Sequence, residues 1–203
     1  MTTSITLDGV GIHTGASARV TLSVASTPGI HIHTESGSIT LAPEHVTETT
    51  RCTVISNGSI RISTVEHLSA ACTALGVTAL DVTLVGPELP IGDGASLFWM
   101  NALADLGFVD ELPNWFEIPH AIEVPGANGA FIGIYPAAEP TFTVFVQFPD
   151  AVVGTMAARW VPGATCFRDT VAPARTFGFR REVDALLAAG LGRGGTLENC
   201  IVV

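Results

Sequence analysis

Residues 53–75 constrain the fold more than any other stretch. Thr53-Val54-Ile55-Ser56 and Ser59-Ile60-Arg61-Ile62 flank Asn57-Gly58. Asn-Gly tolerates the positive φ angles of a tight turn, so the two β-prone runs read as an antiparallel hairpin. The pattern then switches. Residues 64–75 read as a helix that Gly76 stops. A hairpin feeding directly into a helix means that this chain interleaves strands and helices.

The interleaving extends in both directions. Upstream, Ile5-Thr6-Leu7 runs into the turn Gly9-Val10-Gly11, and residues 18–24 alternate like a half-buried strand. Residues 29–41 hold two short strands with Gly37 between them. Downstream come a strand at 79–85, a helix at 96–106 closed by Gly107, and a linker at 110–114. The later half shows a similar order. Strands are expected at 116–118, 121–124, 130–135 and 142–148, a strand-rich stretch at 157–161, and a helix at 181–189 stopped by Gly190. The terminal run, residues 199–203, reads as a buried strand. Such a strand is normally covered by a further element. The second half is therefore expected to be incomplete, and association through residues 200–203 is expected too.

Composition narrows the class. A chain of 203 residues with 47% hydrophobic and 14% charged residues can bury a core. No apolar run reaches the length of a membrane span. The N-terminus lacks the basic and apolar regions of a signal peptide, so the cytoplasm is the expected compartment. The formal charge is -10, and all nine basic residues are arginine. That balance argues against a nucleic-acid partner but leaves room for one phosphorylated small molecule on a local arginine. Cys52, Cys72, Cys166 and Cys200 form no close pair and read as free thiols.

The densest chemistry lies in Arg61-Ile62-Ser63-Thr64-Val65-Glu66-His67-Leu68. His67 can hold a Lewis-acid ion, and Glu66 can handle the proton of the ion's water. A plainer explanation also exists: Ser63 and Glu66 have the spacing of a capping box, and His67 can be an ordinary half-buried imidazole. A catalytic zinc usually takes three protein ligands, and nothing close to His67 in sequence clearly supplies the others. His31 and His33 share one strand face, but a solvated edge strand explains them more simply. The glycines of residues 9–15 would let a ligand approach the backbone, with His13 as a contact. In residues 87–96, Asp93 or Ser96 reads as a helix cap. In Ala174-Arg175-Thr176-Phe177-Gly178-Phe179, Thr176 can donate to an oxyanion and Arg175 can grip a phosphate or carboxylate, or the segment is simply a strand end. Val183, Leu186, Leu187 and Leu191 give the late helix one apolar stripe, suited to the core or to an acyl groove.

Taken in order, residues 9–15, 61–68, 87–94, 174–179 and 194–203 resemble the UDP-3-O-acyl-N-acetylglucosamine deacetylases, zinc amidases of lipid A synthesis. The resemblance implies an α+β fold of two similar domains, each a sheet layered on helices like the second domain of ribosomal protein S5. Here these would be residues 1–112 and 113–203, the second carrying an acyl-passage insert and lacking its last helix. It implies zinc as cofactor and hydrolysis of the N-acetyl group of the sugar nucleotide. His67 matches a zinc ligand, Glu66 the general base and Thr176 the oxyanion-stabilising hydroxyl. Cys52, Phe177, Val183 and Gly195 match positions lining the site or the acyl passage, and His13 matches a site-proximal histidine. The family's other two zinc ligands lie in a His-Lys-x-x-Asp motif beyond residue 203, followed by a histidine that acts as acid. The chain alone is thus expected to be inactive or nearly so unless a C-terminal segment or polypeptide complements it. The alternative is a non-catalytic relative that binds a sugar nucleotide or acyl chain without metal.

Overall fold

The computed structural model of the protein describes residues 3–109 and 115–203. The linker expected at 110–114, and with it the boundary between 112 and 113, lies outside the described residues.

The chain opens with β1 (Ser4–Val10), β2 (Ser17–Val24), β3 (Gly29–Thr34) and β4 (Gly37–Thr40). The strands β5 (Val46–Glu48), β6 (Val54–Ser56) and β7 (Arg61–Ser63) then lead into α1 (Glu66–Ala74). β8 (Ala79–Val85) and α2 (Leu97–Asp105) follow. One five-stranded sheet has the order β1-β2-β8-β3-β4, antiparallel except for the parallel β8–β3 pair. The expected hairpin forms between β6 and β7, and β5 adds a third strand. Asn57 closes its turn by accepting the N–H groups of Ser59 and Ile60 on its carboxamide oxygen.

Alternation decides which face is covered. Ala18, Val20 and Leu22 of β2, Ile32 of β3, and Leu80, Val82 and Leu84 of β8 are buried on one side of the large sheet. Leu68, Ala71 and Cys72 of α1 join the same cluster, as do Trp99, Met100 and Leu103 of α2. The result is an α+β arrangement with its core between sheet and helices. Each large aliphatic group fully buried there contributes about 1.5–3 kcal/mol.

Some local expectations need correction. The strand that carries His31 and His33 is not at an edge, because β8 and β4 hydrogen-bond to its two sides. No strand forms at 116–118. Pro119 follows directly and cannot donate to a ladder, and Phe116 is 84% exposed.

The later strands pair two by two. β9 (Ile122–Pro125) pairs with β10 (Phe131–Ile134), and β11 (Phe142–Gln147) with β12 (Thr155–Trp160). α3 (Phe167–Thr170), β13 (Phe177–Gly178), α4 (Val183–Ala188) and β14 (Ile201–Val202) complete the chain. The terminal strand is not buried: Ile201 and Val202 are 45% and 43% exposed, because β13 is the one strand it pairs with among the described residues. This half is tied to the core through α2. The N–H of Leu97 has no partner within its own helix and donates to the Ala172 carbonyl at 3.1 Å. Ala172 itself is fully buried in the cluster. Beside it, Ala70 and Ala74 of α1 face Phe142, Val144 and Trp160 across an apolar groove of about 310 Å³.

The layering predicts a large effect at its centre. Leu22→Ala should remove about 2–5 kcal/mol of stability. Urea melts should show a lower midpoint at unchanged slope.

Candidate active site

The site is built around the turn from β7 into α1. Thr64 adopts φ +63°, a left-handed conformation unusual for a β-branched residue. The turn delays the helix, so Val65 occupies the cap position and makes no side-chain cap bond. The capping box expected between Ser63 and Glu66 is therefore absent. Instead Glu66 accepts the Thr53 N–H on Oε2 at 2.9 Å, and the Val65 N–H donates to the Thr53 carbonyl at 3.3 Å. The other Glu66 oxygen takes no hydrogen bond from the described residues.

His67 follows on the first turn of α1. Burial pushes its pKa below the usual histidine value, against the opposing pull of the Glu66 and Asp93 charges. Burial thus favours the neutral ring, which offers a lone pair. That electrostatic neighbourhood also brings Asp93 to the site. Its Oδ1 accepts the Ala95 N–H at 3.0 Å in a local turn, while Ser96 at the α2 cap makes no side-chain bond.

Beneath these residues lies Glu88, which is fully buried. Its carboxylate accepts the His13 N–H at 3.1 Å, the Thr14 N–H at 2.9 Å, the Thr14 hydroxyl at 2.8 Å and the Thr64 hydroxyl at 2.6 Å. Burial pushes its pKa up, but the Thr64, Thr14 and His13 donors outweigh burial, and the net shift is downward. Cys52 sits in the same neighbourhood. Burial and then the charges of Glu66 and Glu88 raise its pKa, against weaker opposing bonds from Thr64, so the thiol stays protonated.

The later half closes the site from the other side. The Thr176 N–H donates to the Gly94 carbonyl at 2.8 Å, and its hydroxyl makes no hydrogen bond among the described residues. Two of the five guanidinium N–H donors of Arg175 go to the Asp93 and Leu197 carbonyls, both at 2.9 Å, which fixes the side chain against the loops. Gly194 and Arg193 donate their N–H groups to the carbonyls of Ile12 and His13, at 3.0 and 3.2 Å. A side chain on Gly94 (φ +87°) would strike the Asn199 carbonyl, so glycine is required there. Asn199, nearly buried, holds the 194–199 turn together through Gly194 and Thr196.

Most expected site residues are thus brought together. Glu66, His67 and Cys52 share one neighbourhood, with Thr176 joined through Gly94 and His13 through Glu88. The His13 Nδ1 is buried with no hydrogen-bond partner among the described residues. Gly195 lies in the turn, but its neighbour Gly194 makes the contact with the 11–15 loop. Phe177 packs with Phe148 and Phe179, with ring centroids 5.4–5.8 Å apart, and is 41% exposed. Val183 starts α4 next to Glu182, which bonds Arg51 beside Cys52 at 2.9 Å. His31 and His33 lie apart on the large sheet, where the latter pairs with Asp81 at 2.8 Å. Glu88 and Asn199 are site-forming residues that sequence reasoning did not single out, and Asp93 was read there only as a helix cap. They do lie within the segments that carry the family resemblance, which is the signal that could have found them.

The described residues contain no group of three or more His, Cys, Asp or Glu side chains placed to share a metal ion. By themselves they do not fit the three-ligand set of a catalytic zinc. No helix among them is long and apolar enough to cross a membrane.

An anchored carboxylate next to an imidazole whose neutral form burial favours is the kind of pair that hydrolases use. Comparison with known proteins gives the particular family. The family model described as UDP-3-O-acyl N-acetylglycosamine deacetylase (LpxC) matches residues 1–203. The UDP-3-O-acyl-N-acetylglucosamine deacetylase of Phenylobacterium zucineum is 38% identical over 96% of this chain and 69% of its own length. The proteins of the same name from Helicobacter pylori and Synechocystis are 33% and 34% identical over 98% of the chain, covering 69% and 75% of their own lengths. The chain belongs to this deacetylase family.

The buried carboxylate has a stability consequence. A folded-state pKa below the ordinary value of 4.5 means stability that is present above that value and lost as pH falls through the folded pKa. The urea midpoint should therefore fall between about pH 5 and pH 3. Glu88→Gln should lower the midpoint at pH 7 and flatten that acid slope.

Proposed function

We propose that this chain carries the base and oxyanion side of an amidase that removes the N-acetyl group of UDP-3-O-acyl-N-acetylglucosamine in lipid A synthesis, in the cytoplasm. The observation that carries the reading is Glu66. One oxygen is pinned by the Thr53 amide and the other takes no hydrogen bond from the described residues, next to a His67 whose neutral form burial favours. Glu66 takes the proton of the attacking water, and the Thr176 hydroxyl donates to the oxygen of the tetrahedral intermediate. His13 contacts the sugar nucleotide from the 11–15 loop that Glu88 holds. Phe177 and Val183 line an apolar passage for the acyl chain, with Cys52 and Gly195 at its rim. Residues 1–112 and 113–203 are proposed as two similar domains.

Zinc belongs to the same proposal. It would polarise the amide carbonyl and acidify a water. His67 would supply one ligand. The remaining donors would come from a complementing segment or polypeptide carrying a His-Lys-x-x-Asp motif, without which this chain turns over little or nothing. The lack of a three-ligand group among the described residues favours a second reading, a non-catalytic relative that keeps the sugar-nucleotide and acyl surface.

Two measurements separate the readings. Zinc content and deacetylase turnover should both be near zero for the chain alone, and both should appear when a polypeptide with the missing motif is added. In that complemented enzyme, Glu66→Gln should lower kcat by about 10²–10⁴-fold. Thr176→Ala should lower it by about 10²–10³-fold. Tight sugar-nucleotide binding without turnover under any complementation would establish the binding reading instead.

A further inference from the structure

We propose that Glu88 is a positioning residue for the Glu66–His67 pair, an assignment that rests on the deacetylase reading of that pair. Its four donors come from two places alone, the His13–Thr14 turn and Thr64. Both flank the site, and neither belongs to the sheet–helix core. Burying a carboxylate is expensive, and apolar packing would stabilise the fold as well or better. A carboxylate earns its place here by geometry: four convergent donors fix two loops relative to one point.

The path from Glu88 to the site is short. The Thr64 hydroxyl is held by Glu88 while its backbone sits at φ +63°. A strained conformation persists only where the surroundings over-determine it. With Thr64 fixed, the Val65 N–H is aimed at the Thr53 carbonyl, and the Thr53 N–H is aimed back at Glu66. The carboxylate of Glu88 thus sets the position of the carboxylate of Glu66 through Thr64 and Thr53. On its other side Glu88 fills the space that a side chain on Gly11 would take. It thereby holds the loop that receives the 193–194 turn.

Amide hydrogen exchange of the whole 203-residue chain tests this. Thr64→Val keeps the shape and removes the hydroxyl. It should speed exchange of the Thr53 amide about tenfold or more while the β2–β8 ladder amides stay unchanged, and Thr64→Ser should restore protection. Thr14→Val, an exposed change that touches neither Thr53 nor Glu66 and otherwise loses only a local bond to the Ala16 N–H, should speed Thr53 exchange about threefold through Glu88. In the complemented enzyme Thr64→Val should lower kcat about tenfold at unchanged KM. The proposal is overturned if Thr53 exchange is unmoved by both variants, or rises only in step with the β2–β8 ladder. If Thr53 responds as expected while the unaltered, complemented protein shows no turnover, the positioning role stands and the deacetylase reading fails.

Discussion

The contact between the inner face of the large sheet and the two helices sets everything else. Val20, Leu22, Leu80, Val82 and Leu84 must be covered, and α1 and α2 cover them. Apolar burial carries no direction of its own, but the chain connections do. Because β7 leads into α1 through a single tight turn, covering the sheet places Glu66 and His67 at the start of that helix. Because α2 follows the 88–96 loop, the same packing brings Asp93 within electrostatic reach of His67.

Around this apolar platform the site is a problem in polar satisfaction. Loops carry backbone groups that neither sheet nor helix satisfies, and each buried one needs a partner. Here the partners are exchanged between loops. Glu88 serves residues 13, 14 and 64, Arg175 serves 93 and 197, and Gly94 serves 176. The 11–15 loop serves 193 and 194. Each loop is held by another loop, so early and late segments of the chain depend on one another for their conformation. Glycines 11, 94 and 194 stand where these segments approach too closely for a side chain.

Much of the fold was legible in the sequence because its signals are local. The Asn57-Gly58 hairpin, the alternation of β2 and β8, and the glycine stops after α1 and α2 each depend on a few adjacent residues. The failures have physical causes of the opposite kind. The capping box has the right spacing, but Thr64 takes a left-handed conformation that Glu88 stabilises from 24 residues away. Arg175 also has a tie that residue type does not reveal, because two of its N–H donors reach backbone carbonyls brought near by folding. His31 and His33 looked like an edge strand, because sheet order depends on where β8 returns. Residues 116–118 have strand composition, but a strand needs a partner.

The sequence by itself determined the order of elements, the apolar faces that must be covered, and the identity of the reactive groups: a carboxylate adjacent to an imidazole, and a threonine far along the chain. These follow from residue type and short-range spacing. Tertiary structure alone decided that Glu66 is pinned by one oxygen, that burial favours the neutral form of His67, that Thr176 rests against Gly94, and that a buried Glu88 joins the loops. Those outcomes depend on burial and on hydrogen bonds between residues tens of positions apart, and no local pattern encodes them.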